Sequence, residues 1–298
     1  MSISVVDPRM SEEEGWTFSD APGTIPDTVN GARHLHDVYA LADPHYTGRA
    51  STPVLWDKER ETIVNNESRE VLRMLDTEFE EFAQNDVNLC PEDLGEEIDA
   101  TIDAIYDPVN NGVYRAGFAT TQAAYDESVA EVFEALDYWE EVLSRRRYLC
   151  GDRLTEADVC MFVTLVRLDP AYHYHFKCNL WRLRDYPNLW GYTRDIYQQP
   201  GVVETVNLEH IKRHYACHPN LNLARIIPKG PIIDYGVQPQ PGEVVRPDVA
   251  ENIRSAGGRE TAVDLRAISP LYWSHVNSYG NFRLDMRKAL GLFRTSSG

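Results

Sequence analysis

The spacing of apolar and polar positions changes character along the chain. Near the N-terminus apolar residues come in short runs. Ile3-Ser4-Val5-Val6, ended by Asp7-Pro8, reads as a strand. Residues 10–32 are dense in Gly, Pro and acidic side chains around Trp16 and Phe18, and read as a long loop. A short helix is expected over residues 34–41. Pro53-Val54-Leu55-Trp56 and Thr62-Ile63-Val64, parted by the charged stretch 57–61, make a hairpin pattern. Val71, Leu72, Leu75, Phe79 and Phe82 then recur at helical spacing, so a helix follows directly after Ser68.

From about residue 95 the period is helical. Val129, Val132, Phe133, Leu136, Trp139 and Leu143 fall three and four apart, a helix that buries one stripe. Thr155-Glu156-Ala157-Asp158 opens another helix as an acidic variant of the capping box. The following residues 159–166 are apolar on every side but too few to cross a bilayer, which predicts a buried central helix. Beyond residue 218, Pro219, Pro228, Pro231, Pro239 and Pro241 predict an extended tail wrapping the surface or a partner subunit.

Charge narrows the function. The 298 residues carry a formal net charge of -18, from 47 acidic and 29 basic side chains. Nucleic acid and anionic membranes are disfavoured as partners. The basic residues are nearly all Arg, with lysine only at 58, 177, 212, 229 and 288. An ordinary acidic protein and one adapted to high internal salt both fit, and the Lys-poor balance favours salt adaptation. Neither end carries an apolar segment suited to a signal peptide or a membrane helix, so the expected compartment is the cytoplasm. Cys90, Cys150, Cys160, Cys178 and Cys217 are odd in number and scattered, which argues against a disulfide framework or a zinc ribbon. His34/His36 and His173/His175 form H-x-H pairs in helix-like surroundings, read as lacking a nearby third ligand, and no metal is expected.

Residues 50–68, ASTPVLWDKERETIVNNES, hold the candidate chemistry. A cis Thr52-Pro53 bond would turn the Thr52 backbone out of the sheet toward a ligand. Ser68 sits at a strand-to-helix junction whose free N–H groups favour a carboxylate, and Glu67 adds an anion suited to an ammonium. A γ-glutamyl peptide fits all three: carboxylate on Ser68, ammonium on Glu67, cysteinyl amide on Thr52. Each piece alone has an ordinary reading, the Pro as a turn and the Ser as a helix cap.

The segment HYTGRASTPVLWDKERETIVNNESREVLRML (45–75) resembles the thioredoxin-like domain of the glutathione transferase superfamily, and more narrowly its Xi class, the glutathionyl-hydroquinone reductases. NNGVYRAGFAT and HFKCN carry the class resemblance, which spans most of residues 1–230. It implies a glutathione-transferase fold, α/β plus all-α. A thioredoxin-like thiol-binding domain over 1–85, lacking its first strand and helix, would precede an all-α domain over 95–230 and a tail over 231–298. It implies thiol-dependent reduction of S-glutathionyl-hydroquinones, a homodimer, and glutathione as co-substrate, or γ-glutamylcysteine if the salt reading holds. Carried over by motif, Trp16, Arg49, Thr52, Glu67 and Ser68 would bind the thiol. Tyr114 and Tyr215 would line the aromatic site and assist protonation of the leaving carbon. Ordinary readings stand beside these: packing for Trp16, a surface ion pair for Arg49, amphiphilic core positions for the tyrosines.

The family's nucleophile lies in a C-P-W-A-H type motif, at a helix N-terminus that lowers the thiol pKa. The motif is absent here. The run SISVVDP resembles the family's second strand, so the motif is expected just before Met1. A start codon placed late, a truncated chain and a natural variant that binds without reacting all stay open, the last as an inactive thiol-binding or scaffold protein.

Overall fold

The computed structural model describes residues 1–11, 13–83, 87–218 and 220–236. These divide into two units, Met1–Leu72 and the residues from Arg73 onward.

In the first unit, the run expected as a strand forms only one antiparallel bridge. Val5 and Ile25 exchange backbone hydrogen bonds at 2.8 and 3.0 Å. Asp7 then donates its N–H to Thr17, and Pro8 has none to give, so no ladder grows. The long loop is ordered from within: Asp27 accepts from the N–H groups of Val29, Asn30 and Ala32. The loop delivers Trp16 to a core with Val6, Leu35 and Tyr39, closed by Phe18, Tyr46, Val54 and Ile63. Helix α1 spans Leu35–Ala42. Strands β1 (Leu55–Asp57) and β2 (Thr62–Asn65) pair antiparallel, the only sheet among the described residues. Asp57 ties their turn by accepting from the N–H groups of Glu59 and Arg60. Helix α2 spans Ser68–Thr77, and the boundary between the units falls within it. It ends before Phe79 and Phe82, two positions the periodicity had included; Phe82 is 71% exposed. Thr77 turns its hydroxyl back to the Arg73 carbonyl at the point where the helix stops.

The second unit is helical. Helix α3 (Gly95–Ile105) passes through a π-helical turn, Tyr106–Asn111, into α4 (Gly112–Gly117). Helix α5 is Gln122–Leu143, and all six stripe residues named from the sequence are buried. Helix α6 (Glu156–Arg167) passes through a second π-helical turn, Leu168–Tyr172, into the short α7 (His173–His175). Both π turns contain an Asp-Pro pair. A proline inside a helix lacks the N–H its turn needs, and a wider turn absorbs the defect. Helices α8 (Pro187–Tyr197) and α9 (Leu208–Cys217) complete the unit.

Helix α6 is central, as its all-round apolar pattern predicts. Its capping box forms, and Asp158 does more than cap. The carboxylate accepts from the Thr155 N–H and hydroxyl, the Leu149 N–H and the Tyr192 hydroxyl, all at 2.8–2.9 Å. Glu140 of α5 plays a similar part for α8, accepting from the N–H groups of Asn188 and Leu189. Beyond α9 the chain returns over α8: Tyr235 is 2% exposed, its ring beside Trp190 and Tyr197 and its hydroxyl donating to Val166. The rest of the Pro-rich tail lies outside the described residues.

Glu156 is fully buried and accepts from Arg73 at 2.6 Å, while Arg73 also holds Asp99. Burial outweighs the guanidinium and pushes the Glu156 carboxyl up to about 7; burial likewise raises Asp158 to about 6. Folded values above unfolded ones stabilise the protonated fold. That stabilisation is complete below about pH 4 and is lost as pH rises through 6 to 7. Thermal unfolding between pH 4.5 and 8 should show Glu156→Gln losing less stability with rising pH than wild type. The difference should be about 3 kcal/mol at most, and parallel curves would contradict it.

Candidate functional site

Two groups of candidate residues form, one in each unit. In the first, Tyr39 of α1 donates its hydroxyl to the Ser51 carbonyl (2.8 Å) and accepts from the Ser51 N–H (3.3 Å). Asn66 donates to the Ser51 hydroxyl at 3.2 Å. These bonds hold the segment before Thr52 against the β2–α2 junction, so Thr52 neighbours Glu67 and Ser68. The Thr52-Pro53 bond is cis. Ser68 is buried at the first position of α2, where backbone N–H groups lack helical partners. Asn65 accepts from the Glu67 N–H and donates to Glu70. Glu67 is among the exposed residues, yet partial desolvation first, and Glu70 nearby second, hold its carboxyl above the ordinary range.

Arg49 is exposed, and among the described residues no acid pairs with its guanidinium. Trp16 is 6% exposed and packs in the core beneath the loop. Of the five thiol-binding candidates, then, Thr52, Glu67 and Ser68 share one place and Trp16 supports the unit from inside. Tyr39, which links the two segments, was not singled out from the sequence; a tyrosine in a short amphipathic helix reads as core.

In the second unit Tyr114 of α4 and Tyr215 of α9 meet, with hydroxyl oxygens 2.7 Å apart. A third phenol, Tyr172, joins them at 3.0 Å from Tyr215 and 3.3 Å from Tyr114. The three hydroxyls form one mutually bonded group, in which either oxygen of each pair can donate. Hydrogen bonds in such a group polarise one another. Tyr114 is the least buried of the three, at 9% exposed. Burial first, and the neighbouring phenols next, push Tyr172 and Tyr215 well above the ordinary phenol range; Arg167 acts on both in the opposite direction. Phe176 stacks on Tyr172 and meets Tyr114 and Tyr215 edge-on. Phe118, His214 and His218 continue the aromatic wall.

Gly117 sets the position of Phe176. A Cβ there would fall 2.2 Å from the Phe176 ring, so only glycine lets the ring lie on the α4 backbone.

None of the five thiols stands at the N-terminus of an α-helix. Cys150, Cys160 and Cys178 are buried. Burial pushes the Cys178 thiol up to about 12 and raises Cys150 and Cys90 as well. The histidine pairs differ from expectation in one respect. Asp37 lies beside both His34 and His36, at 3.1 and 3.2 Å, so a third polar group is present; it occupies a nitrogen of each ring. His175 is buried and held neutral, at about 4, by burial alone.

The helical unit defines a broad class. Residues 122–195 match the family model described as the glutathione S-transferase C-terminal domain. Curated relatives narrow it. The chain is 52% identical over 233 residues to the glutathionyl-hydroquinone reductase YqjG of Escherichia coli K12, covering 78% of this chain and 71% of that protein. It is 46% identical over 243 residues to the glutathionyl-hydroquinone reductase PcpF of Sphingobium chlorophenolicum, covering 81% and 76%. A solved Xi-class transferase from Natrialba magadii superposes with a TM-score of 0.78 at 53% identity, covering 80% of this chain and 73% of that one. Glutathione-bound YqjG superposes with a TM-score of 0.76 at 51% identity, covering 78% and 76%. The chain belongs to the glutathionyl-hydroquinone reductases, the Xi class of the glutathione transferases.

Gly117→Ala should displace Phe176 and cost about 1–3 kcal/mol, as overpacking does. Chemical denaturation measures the loss, and an unchanged midpoint would show that the ring moves freely.

Proposed function

We propose that this chain serves the reduction of S-glutathionyl-hydroquinones at the expense of a γ-glutamyl thiol. The observation that carries the reading is the convergence of Tyr114, Tyr172 and Tyr215 hydroxyls on one point, in a member of a family whose relatives are named for this reaction. A thiolate attacks the sulfur of the conjugate. The new S–S bond forms as the C–S bond breaks, and the electron pair left on the ring carbon takes a proton. In this reading Tyr114, the least buried of the three phenols, gives it. A second thiol then resolves the mixed disulfide by exchange, releasing glutathione disulfide.

The thiol ligand rests on the first unit. Ser68 and the start of α2 meet its α-carboxylate, Glu67 its ammonium, and the Thr52 backbone its cysteinyl amide. Arg49 supplies an unpaired cation, and Trp16 backs the loop. The site reads the γ-glutamyl end, so glutathione and γ-glutamylcysteine both fit. The acidic, Lys-poor composition supports work at high salt, and with it the second thiol. A cytoplasmic homodimer is part of the same reading.

The attacking thiolate comes from outside these 298 residues, because none of their five cysteines has the setting of a nucleophile. The same thiols favour a second reading, a transferase-like protein that binds without reacting. The genomic sequence upstream of Met1 separates the two: an in-frame strand followed by C-P-W-A-H supports the reductase.

Calorimetry at multimolar salt should show Glu67→Ala/Ser68→Ala losing at least about tenfold in affinity for both thiols, the value of one charge-assisted contact. Unchanged affinity would remove the binding site, and strict dependence on the terminal glycine would exclude γ-glutamylcysteine. A polypeptide of these residues should show no thiol-dependent reduction of a glutathionyl-hydroquinone. Measurable turnover would assign the nucleophile to one of the five.

A further inference from the structure

A proline leaves α6 short of a donor near its end. In a regular α-helix the Val166 carbonyl would accept from the N–H of residue 170, and that residue is Pro170. A donor comes instead from much further along the chain. Tyr235 gives its hydroxyl to the Val166 carbonyl at 3.2 Å. Its ring is seated on Trp190 and Tyr197 of α8, and its own carbonyl accepts from Arg194 and Gln198 of that helix, at 3.5 and 3.1 Å. Burial first, then Asp169 and Tyr197, hold the Tyr235 phenol above the ordinary range, so it stays protonated and donates.

The segment that delivers Tyr235 is also fastened to α9. Asn222 donates to the carbonyls of Ala216 and Ile226, both at 2.9 Å. Lys212, buried on α9, gives its ammonium to the Lys229 carbonyl at 3.0 Å. Lys212 lies one turn before Tyr215, and Val166 lies just before the π turn that ends on Tyr172. One stretch of chain, residues 226–235, thus straps the helix carrying Tyr215 to the turn carrying Tyr172. The hydroxyls of those two residues stand 3.0 Å apart, and a bond between hydroxyls tolerates little change in length.

We propose that Tyr235 is a positioning residue for the three-phenol group. It acts through the Val166 carbonyl and the π turn, and Lys212 holds the other end of the strap. The strap keeps Tyr172 and Tyr215 in register, and with them the surface that Tyr114 shares. Its importance for aromatic binding rests on reading the three phenols as the aromatic site.

Fluorine NMR of the 298-residue protein grown with 3-fluorotyrosine reads the hydroxyl environments, with Tyr172→Phe and Tyr215→Phe assigning the two signals. Tyr235→Phe keeps the ring and removes the donor. It should move both assigned signals and weaken binding of hydroquinone, measured without oxygen, by at least about threefold, the lower end of one neutral hydrogen bond. Lys212→Met should do the same, and Lys212→Arg, which retains a donor, should keep the wild-type signals. If Tyr235→Phe does not fold, the lysine pair decides. Signals unmoved in Tyr235→Phe and Lys212→Met, even with a lowered melting temperature, would reduce the strap to a stabilising contact and overturn the proposal. Hydroquinone affinity unchanged by Tyr114→Phe, or no binding by the wild type, overturns the aromatic-site reading instead, and the fluorine signals still judge the strap.

Discussion

The helical unit hangs on the Asp158 carboxylate. It is fully buried, yet it gathers four donors from three places: the start of α6, the loop at Leu149 and Tyr192 of α8. Each bond contributes about 1 kcal/mol net, but leaving four buried donors unsatisfied would cost several times that. The consequence is positional. With its first turn pinned, α6 has one axis, and everything at its far end inherits that axis. Arg167, the π turn and Tyr172 are at that far end.

The two π turns connect fold to chemistry. Each contains an Asp-Pro pair, and each leads into a phenol of the cluster: the first into α4 and Tyr114, the second to Tyr172 itself. Asn110, inside the first turn, donates to the Cys160 carbonyl and the Thr164 hydroxyl of α6. The first turn is thereby fastened to the helix from which the second departs. The mutual placement of Tyr114 and Tyr172 thus depends on backbone hydrogen bonding at some distance from either hydroxyl.

Much of this was legible in the sequence where the physics is local. The α5 stripe, the Thr155–Asp158 box and the apolar girdle of α6 depend on residues within a few turns, and the pattern shows them. The hairpin and the junction at Ser68 were legible for the same reason. Tyr172 was not. Its partners Tyr114 and Tyr215 lie 58 and 43 residues away, and the π turn around Pro170 breaks the helical count before it is reached. The signal was the proline itself, in LDPAY, which marks a place where ordinary helical counting fails. The supposed strand at residues 3–6 failed because strand identity depends on distant pairing, and Val5 finds only Ile25. Gly117 was unreadable because its reason, the Phe176 ring, comes from a distant part of the chain, just past the end of α7.

The state of the thiols has a wider chemical meaning. Quinones are electrophiles that add to thiolates, so a protein working among them risks arylation of its own side chains. In this chain Cys150, Cys160 and Cys178 are enclosed, and Cys178 is also held protonated by its surroundings. Enclosure that reads as packing therefore also acts as chemical insulation, letting the helical core retain sulfur without being consumed by the compounds it would meet.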